Sequence, residues 1–480
     1  MSSDRPYCAC ATPPGVSGLA VIRMAGSGSA EVTDRVFHIA RSADDAVSVK
    51  DMRGYTAAFG TIYDPADGHV IDEVICTRFT APHSYTGEDC VEISCHGGSA
   101  VRQEILRVLL ENGARGADAG EFTRAAFLAG KIDLSQAEAV MDVIAADSKL
   151  ALAAAERQLA GALKQSVRMI SEALYRSFAA LEMIVEFPEH DDTPENTSAI
   201  SAALSEQLRR LNELAASFSQ GRILREGMTV VLCGVPNSGK SSLLNRMSGY
   251  DRAIVTAQPG TTRDTLEVFS SIEGIPVRLI DTAGLRETYD EVEKLGVSRA
   301  YAAVKEADLL LWLCSPDGND LEEGSELYGA LSDPRSQSDI GILVSKADLM
   351  DEEQAAIFTV KIKDRINQWG FSSKIRFYHI FSSETGEGIE ILGNEVRRLY
   401  EEKGQGQMSQ VLLTNGRHYD KVKAASETLF ETMALLERGQ SADLACSLLR
   451  STMDALGEIT GDSVNEELVH TIFSRFCIGK

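Results

Sequence analysis

The chain has 480 residues, 44% hydrophobic and 25% charged. These are ordinary globular proportions, but the chain is too long for a single core and predicts about two to four domains. A formal net charge of -24 argues against a protein that coats nucleic acid unaided, while leaving room for a local basic groove or a basic partner.

The opening stretch, MSSDRPYCACATPPG, lacks the apolar centre of a signal peptide, and apolar runs such as Leu309–Cys314 are far too short to span a membrane. The nine cysteines are odd in number and never spaced C-x-x-C, which points away from a disulfide framework and from a zinc site. A reduced, soluble, cytoplasmic protein without a membrane partner is the expectation.

Residues 1–130 mix short β-like runs, Gly18–Gly26 and Asp72–Thr80, with an amphipathic helix over Ala100–Ala114. This pattern predicts an α+β domain. Residues 131–224 change in texture: alanine, leucine, glutamate and arginine recur at helical spacing, and Pro188 marks a break between helices. From 225 to 400 strand-like runs alternate with helices, as in an α/β domain with a parallel sheet. Residues 401–480 read as helical again. The order predicts a multidomain chain in which an all-α domain is interrupted by the α/β domain, although two separate bundles would read the same.

The α/β segment carries the clearest chemistry. Gly234 to Ser241 reads GVPNSGKS after a buried strand and before a helix, the setting that G-x-x-x-x-G-K-[ST] requires. Glycines let the backbone curl so that its N–H groups face phosphates, and the following helix start favours anionic charge. Lys240 is expected to reach the β- and γ-phosphates and Ser241 to bind Mg²⁺. Asn237, Ser238, Gly239 and Ser242 complete the loop.

Further along, Arg278–Gly284 is a buried strand ending in Asp281, followed by Thr282, Ala283 and Gly284 at the γ-phosphate. Between them lies a loop running Thr256, Ala257, Gln258, Pro259, Gly260, Thr261 and Thr262, whose threonines can reach metal and phosphate. Gly341–Asp348 is a strand ending in Ser345, Lys346 and Asp348, and Ser382, Ser383 and Glu384 offer backbone donors after a further strand. Asp348 can accept from the N1–H and the amine of guanine, whereas adenine presents an acceptor there and is repelled. These elements predict a site for GTP and GDP. Two departures stand out: serine at 345 where asparagine is usual, and Leu285 where many GTPases place a water-orienting glutamine.

These motifs resemble the translation-factor-related GTPases. Together with ATPPGVSGLAVIRMAG, SYTGEDCVEISCHGG, GEFTRAAFLAGKIDLSQAEA, DTAGLRETYDEVEKLG and the closing FCIGK, they resemble the MnmE (TrmE) family of tRNA-modification GTPases over essentially the whole chain. The resemblance implies a folate-binding N-terminal domain, a helical domain interrupted by a GTPase domain, and a homodimer. It also implies a MnmG-type flavoprotein partner, with which an aminomethyl-type group is added to carbon 5 of a tRNA wobble uridine. A tetrahydrofolate derivative, 5-formyl or 5,10-methylene, would carry the one-carbon unit.

The same resemblance assigns Asn237, Thr256, Gln258 and Thr261 to K⁺, Thr262 to Mg²⁺ beside Ser241, and Glu293 to the attacking water. Read alone, Glu293 is an ordinary solvated helix residue. It assigns Arg23, Glu92, Lys131 and Lys480 to folate and brings Cys477 near the one-carbon unit. Read alone, Arg23 fits the cap of a sheet edge and Lys131 a helix start. The Ile-Gly-Lys that follows Cys477 suits a prenylation box poorly. A rival reading is a nucleotide-dependent switch in ribosome assembly. That reading calls for a basic module after the GTPase domain, where ERGQSADLACSLLRSTMDALGEITGD is acidic and amphipathic.

Overall fold

The computed structural model describes residues 5–42, 47–186, 194–248, 266–281, 307–316, 338–405, 411–439 and 441–479. The chain packs as two units, one of Met1–Ile144, Arg157–Leu211 and Lys421–Lys480, the other of Ala145–Glu156 and Asn212–Asp420.

The first unit holds a seven-stranded sheet built from β1 (Tyr7–Cys10), β2 (Ser17–Ala25), β3 (Phe37–Ser42), β4 (Thr56–Tyr63), β5 (Val70–Phe79), β6 (Cys90–Gly97) and β7 (Arg115–Gly116). Their order is β3-β4-β5-β6-β2-β1-β7, antiparallel throughout except where β7 runs parallel to β1. Alternation drives the burial: Ala58, Gly60 and Ile62 of β4 face inward and their neighbours do not. Helices α1 (Ser29–Val36) and α2 (Ser99–Glu111) close that face. Ile105, Val108 and Leu109, spaced as one helical stripe, pack with Ile22, Met24, Ile62 and Ile93. The strand predicted at Gly18–Gly26 is β2, and the helix predicted at Ala100–Ala114 is α2.

Two short helices follow, α3 (Glu121–Leu128) and α4 (Leu134–Ala145). Glu121, 6% exposed, takes hydrogen bonds from Arg115 at 2.9 and 2.5 Å and from the Asp118 N–H at 2.9 Å. Burial alone would raise its carboxyl pKa, but the Arg115 and Asp118 bonds outweigh burial and hold it below the ordinary range. Its folded-state pKa is depressed, so its contribution is complete above the unfolded value and is lost as pH falls through the folded one. Glu121→Ala removes the carboxylate from this largely buried ion pair and should cost about 3 kcal/mol at neutral pH, with a smaller deficit in acid. Thermal melts at the two pH values check this.

The helical part of this unit is led by Ala162–Glu186, whose Leu163, Val167, Ile170, Leu174 and Leu181 form one buried stripe. That stripe packs against Ala442–Thr460, which buries Ala445, Leu449, Leu456 and Ile459. Among the described residues no helix is long and apolar enough to cross a membrane.

The second unit holds a six-stranded sheet: β8 (Met228–Cys233), β9 (Leu266–Ile272), β10 (Ile275–Asp281), β11 (Leu309–Cys314), β12 (Asp339–Val344) and β13 (Ile375–Ile380). The order is β13-β12-β11-β8-β10-β9, parallel except for β9. Every residue of β8 and β11 is buried, which is why both read as unbroken apolar runs. Helices Lys240–Ser248, Glu352–Gln368 and Ile389–Gln405 flank the sheet; the second starts with a capping box in which Asp351 accepts from the Gln354 N–H. The chain is therefore multidomain, an α+β N-terminal domain and helical segments accompanying a P-loop α/β domain.

Candidate functional site

In an open parallel sheet, ligands bind beyond the carboxyl ends of the strands. The described parts of the motifs predicted to bind nucleotide, the phosphate loop, Asp281 and the loops after β12 and β13, gather there. The loop after β8 begins at Gly234, whose φ is +135° and where a Cβ would lie 2.4 Å from the Leu313 carbonyl oxygen. Only glycine fits that approach. Asn237 and Gly239 also take positive φ, 63° and 97°, and curl the loop before the helix at Lys240.

Lys240 is 5% exposed, and its ammonium donates to the carbonyls of Gly234 and Val235, both at 2.9 Å. The loop thus holds its own cation inside the cradle. The Ser241 hydroxyl donates to Oδ2 of the fully buried Asp281 at 2.9 Å. A hydroxyl and a single carboxylate are hard oxygen donors that suit Mg²⁺, which keeps waters and shares phosphate oxygens. Ser238 is wholly buried in the same loop, and its hydroxyl has no partner among the described residues. Ser242 is exposed in the first turn of the helix.

After β12, Lys346 adopts left-handed geometry at φ 61° and turns the chain into a short 3-10 helix carrying Asp348. The Ser382 hydroxyl donates to Asp348 Oδ1 at 2.5 Å and accepts from the Glu384 and Thr385 N–H groups, both at 3.2 Å. The carboxylate is therefore oriented by the loop after β13. Ser345, 1% exposed, donates from its hydroxyl to the Cys314 carbonyl at 3.3 Å and so ties the base loop to the end of β11. Ser383 lies beside the phosphate loop, its hydroxyl 3.8 Å from where a Gly239 Cβ would stand. Thr256, Ala257, Gln258, Pro259, Gly260, Thr261, Thr262, Thr282, Ala283, Gly284, Glu293 and Lys480 lie outside the described residues.

In the N-terminal domain, Arg23 of β2 sits opposite Glu92 of β6, and their side chains pair at 2.8 Å. Strand β2 lies inside the sheet, between β6 and β1, so Arg23 does not cap an edge. Its guanidinium also lies over the rings of Tyr85 and Phe122, with centroids at 5.1 and 5.6 Å. The Tyr85 hydroxyl is in turn 2.9 Å from that of Thr123. Lys131 lies between α3 and α4, and its ammonium donates to the carbonyls of Pro82 and Ser84, on the loop that carries Tyr85. Neither Tyr85 nor Phe122 stands out in the sequence; for Tyr85 the one sign is an aromatic set within the polar turn SYTGED.

The closing residues dock onto this domain. Phe473 and Phe476 join a core with Leu134 and Ala137, Ile478 bridges to Ala119, and the Gly120 N–H donates to the Cys477 carbonyl at 3.5 Å. Gly479 has φ +96°, and a Cβ there would lie 2.2 Å from the Cys10 carbonyl oxygen. Cys10 neighbours Ala9, which pairs with Arg23, and Gly120 precedes α3, which carries Phe122. Cys477 is thus tied to the start of α3, the helix whose Phe122 ring lies against the Arg23 guanidinium.

A glycine-curled loop holding Lys240, a hydroxyl–carboxylate pair and an aspartate on the turn after β12, set along one edge of a parallel sheet, define a P-loop GTPase. The family model described as GTP-binding protein TrmE N-terminus matches residues 6–131, and that of the MnmE helical domain matches 134–477. The tRNA modification GTPase MnmE of Carboxydothermus hydrogenoformans is 37% identical, covering 98% of each chain. Those of Acetivibrio thermocellus and Geobacillus kaustophilus are 38% and 36% identical, each covering 100% of both chains. The chain belongs to the MnmE family of tRNA modification GTPases, and its enzymatic class is GTP hydrolase.

Proposed function

We propose that the chain is a potassium-activated GTPase that works with a MnmG-type flavoprotein to add an aminomethyl or carboxymethylaminomethyl group to carbon 5 of the wobble uridine of certain tRNAs. The observation that carries the modification reading is the docking of Cys477–Gly479 onto the domain that holds Arg23, Glu92 and Lys131. Glu92 and the Arg23 guanidinium suit the donors of a pterin and the carboxylate tail of a folate. Tyr85 and Phe122 hold Arg23 in place, and Lys131 fixes the loop beneath Tyr85. Bound tetrahydrofolate would supply the one-carbon unit, and Lys480 belongs to the same pocket.

In the GTPase domain Ser241 and Thr262 would hold Mg²⁺, while Asn237, Thr256, Gln258 and Thr261 would hold K⁺ at the phosphates. Lys240 draws the phosphates into the cradle, Asp348 selects guanine, and Glu293 orients the attacking water that Leu285 cannot. The organisation that accompanies this reading is a folate domain at 1–130, helical parts at 131–224 and 401–480, and a GTPase domain at 225–400. It acts as a cytoplasmic homodimer.

The test is GTP turnover in potassium against sodium at equal ionic strength. An arginine finger supplying positive charge at the same phosphates gives roughly 10³ to 10⁵ in rate. Potassium should therefore raise turnover at least about tenfold on the same principle. Equal rates in the two salts would remove the potassium assignment.

A further inference from the structure

Two buried hydroxyls at the carboxyl edge of the β8–β13 sheet have no hydrogen-bond partner among the described residues. One is Ser238 in the phosphate loop; the other is Ser315, 3% exposed, immediately after β11. An unpaired buried hydroxyl costs free energy, so its persistence in a folded chain calls for a partner that arrives from elsewhere.

The position of Ser315 says where that partner comes from. Cys314 pairs in register with Val344, so Ser315 and Ser345 leave adjacent parallel strands side by side. Ser345 spends both its N–H and its hydroxyl on the Cys314 carbonyl, at 3.0 and 3.3 Å. The Leu313 carbonyl meets the phosphate loop instead, at Gly234, where a Cβ would stand 2.4 Å from that oxygen and 3.0 Å from the Ser238 hydroxyl. Ser315 thus stands where base loop, β11 and phosphate loop converge. The amino edge of the same strands behaves differently: Ser338, also buried, already donates to the Ala307 carbonyl at 2.7 Å.

We propose that Ser315 is a positioning residue of the nucleotide site. Guanine nucleotide, by engaging the phosphate loop and the base loop at once, brings an oxygen acceptor within reach of the Ser315 hydroxyl and so couples the two loops through the end of β11. The inference rests on nucleotide lying along this edge of the sheet.

The experiment uses the full-length chain with Mg²⁺ and GDP. It measures GDP affinity and the thermal midpoint with and without GDP for Ser315→Ala, Ser338→Ala and Lys240→Ala. Ser315→Ala should leave the midpoint without nucleotide unchanged or raised, because it removes an unpaired buried hydroxyl. It should weaken GDP between about twofold and tenfold, the worth of one net hydrogen bond. The GDP-induced rise in midpoint should shrink to match. Ser338→Ala should do the reverse, lowering the midpoint without nucleotide and leaving GDP affinity alone.

A Ser315→Ala protein that melts earlier without GDP yet binds it normally would show that the hydroxyl serves the fold, and the proposal would fail. Unchanged melting and unchanged affinity would overturn it equally. Lys240→Ala separates the two levels: if it too leaves GDP affinity intact, the nucleotide does not lie at this edge and the placement beneath the proposal is at fault.

Discussion

Asp348→Asn should cost about 10⁴-fold in the preference for guanine over xanthine nucleotides, the scale on which a buried polar group rejects a mismatched partner. The carboxylate accepts from two guanine donors, N1–H and the exocyclic amine. Xanthine replaces that amine with a carbonyl oxygen, which the carboxylate repels and an amide N–H can meet. The surroundings of Asp348 make the substitution informative. Oδ1 already accepts from the Ser382 hydroxyl at 2.5 Å, and the amide oxygen of asparagine can keep that bond. The Ala347 N–H donates to the Phe381 carbonyl at 3.2 Å, so the backbone of the base loop is held independently of the side chain. The altered edge is then the one that faces the base. Turnover of GTP and XTP by the variant is the measurement. Unchanged GTP preference would mean that this aspartate does not read the base. Equal loss of both activities would mean that the loop collapsed.

Why the phosphate loop could be read from sequence, while other parts of the site could not, comes down to distance along the chain. Gly234 to Ser241 is one continuous turn, and its glycines are demanded by positive φ and by the approach of the Leu313 carbonyl; spacing alone carries that information. Asp348 follows the buried strand β12 by one short turn, and that local order is legible for the same reason. The partner of Ser345 was not legible, because Cys314 lies 31 positions away and meets it only through the register of β11 with β12. The Arg23–Glu92 pair spans 69 positions and depends on β6 lying beside β2. No periodicity announces that adjacency. Phe122 reaches Arg23 from a helix that follows the last strand of the sheet, and its apolar ring reads in sequence as one more core residue. The partners of Lys131 were not legible either, because the Pro82 and Ser84 carbonyls that its ammonium meets lie 49 and 47 positions away on a loop that only the fold brings near.

Cys477→Ser should abolish tRNA modification, a loss of at least about 10² if the thiol works as an acid, base or nucleophile, while GTP hydrolysis is retained. Among the nine cysteines Cys477 is the exposed one. Burial pushes the thiols of Cys8 and Cys90 up to about 11 and about 12, which leaves them protonated and inert at neutral pH. An exposed thiol is ordinarily an oxidation liability, and this one is presented by a segment whose neighbours are all engaged. Phe476 is 8% exposed, Ile478 bridges to Ala119 and Gly479 rests on the Cys10 carbonyl. Serine preserves the size and hydrogen bonding of cysteine, so the tail should remain docked and only the sulfur chemistry should be lost. Gly479→Val tests the docking itself. Its Cβ would stand 2.2 Å from the Cys10 oxygen at a φ of +96° that valine resists, so the segment must lift away. Both variants should lack the modified uridine in tRNA from cells that carry only the variant, and both purified proteins should still turn over GTP. Normal modification with Cys477→Ser but not with Gly479→Val would make the segment a clamp without chemistry of its own. Lost GTP turnover in either would show damage reaching beyond the N-terminal domain.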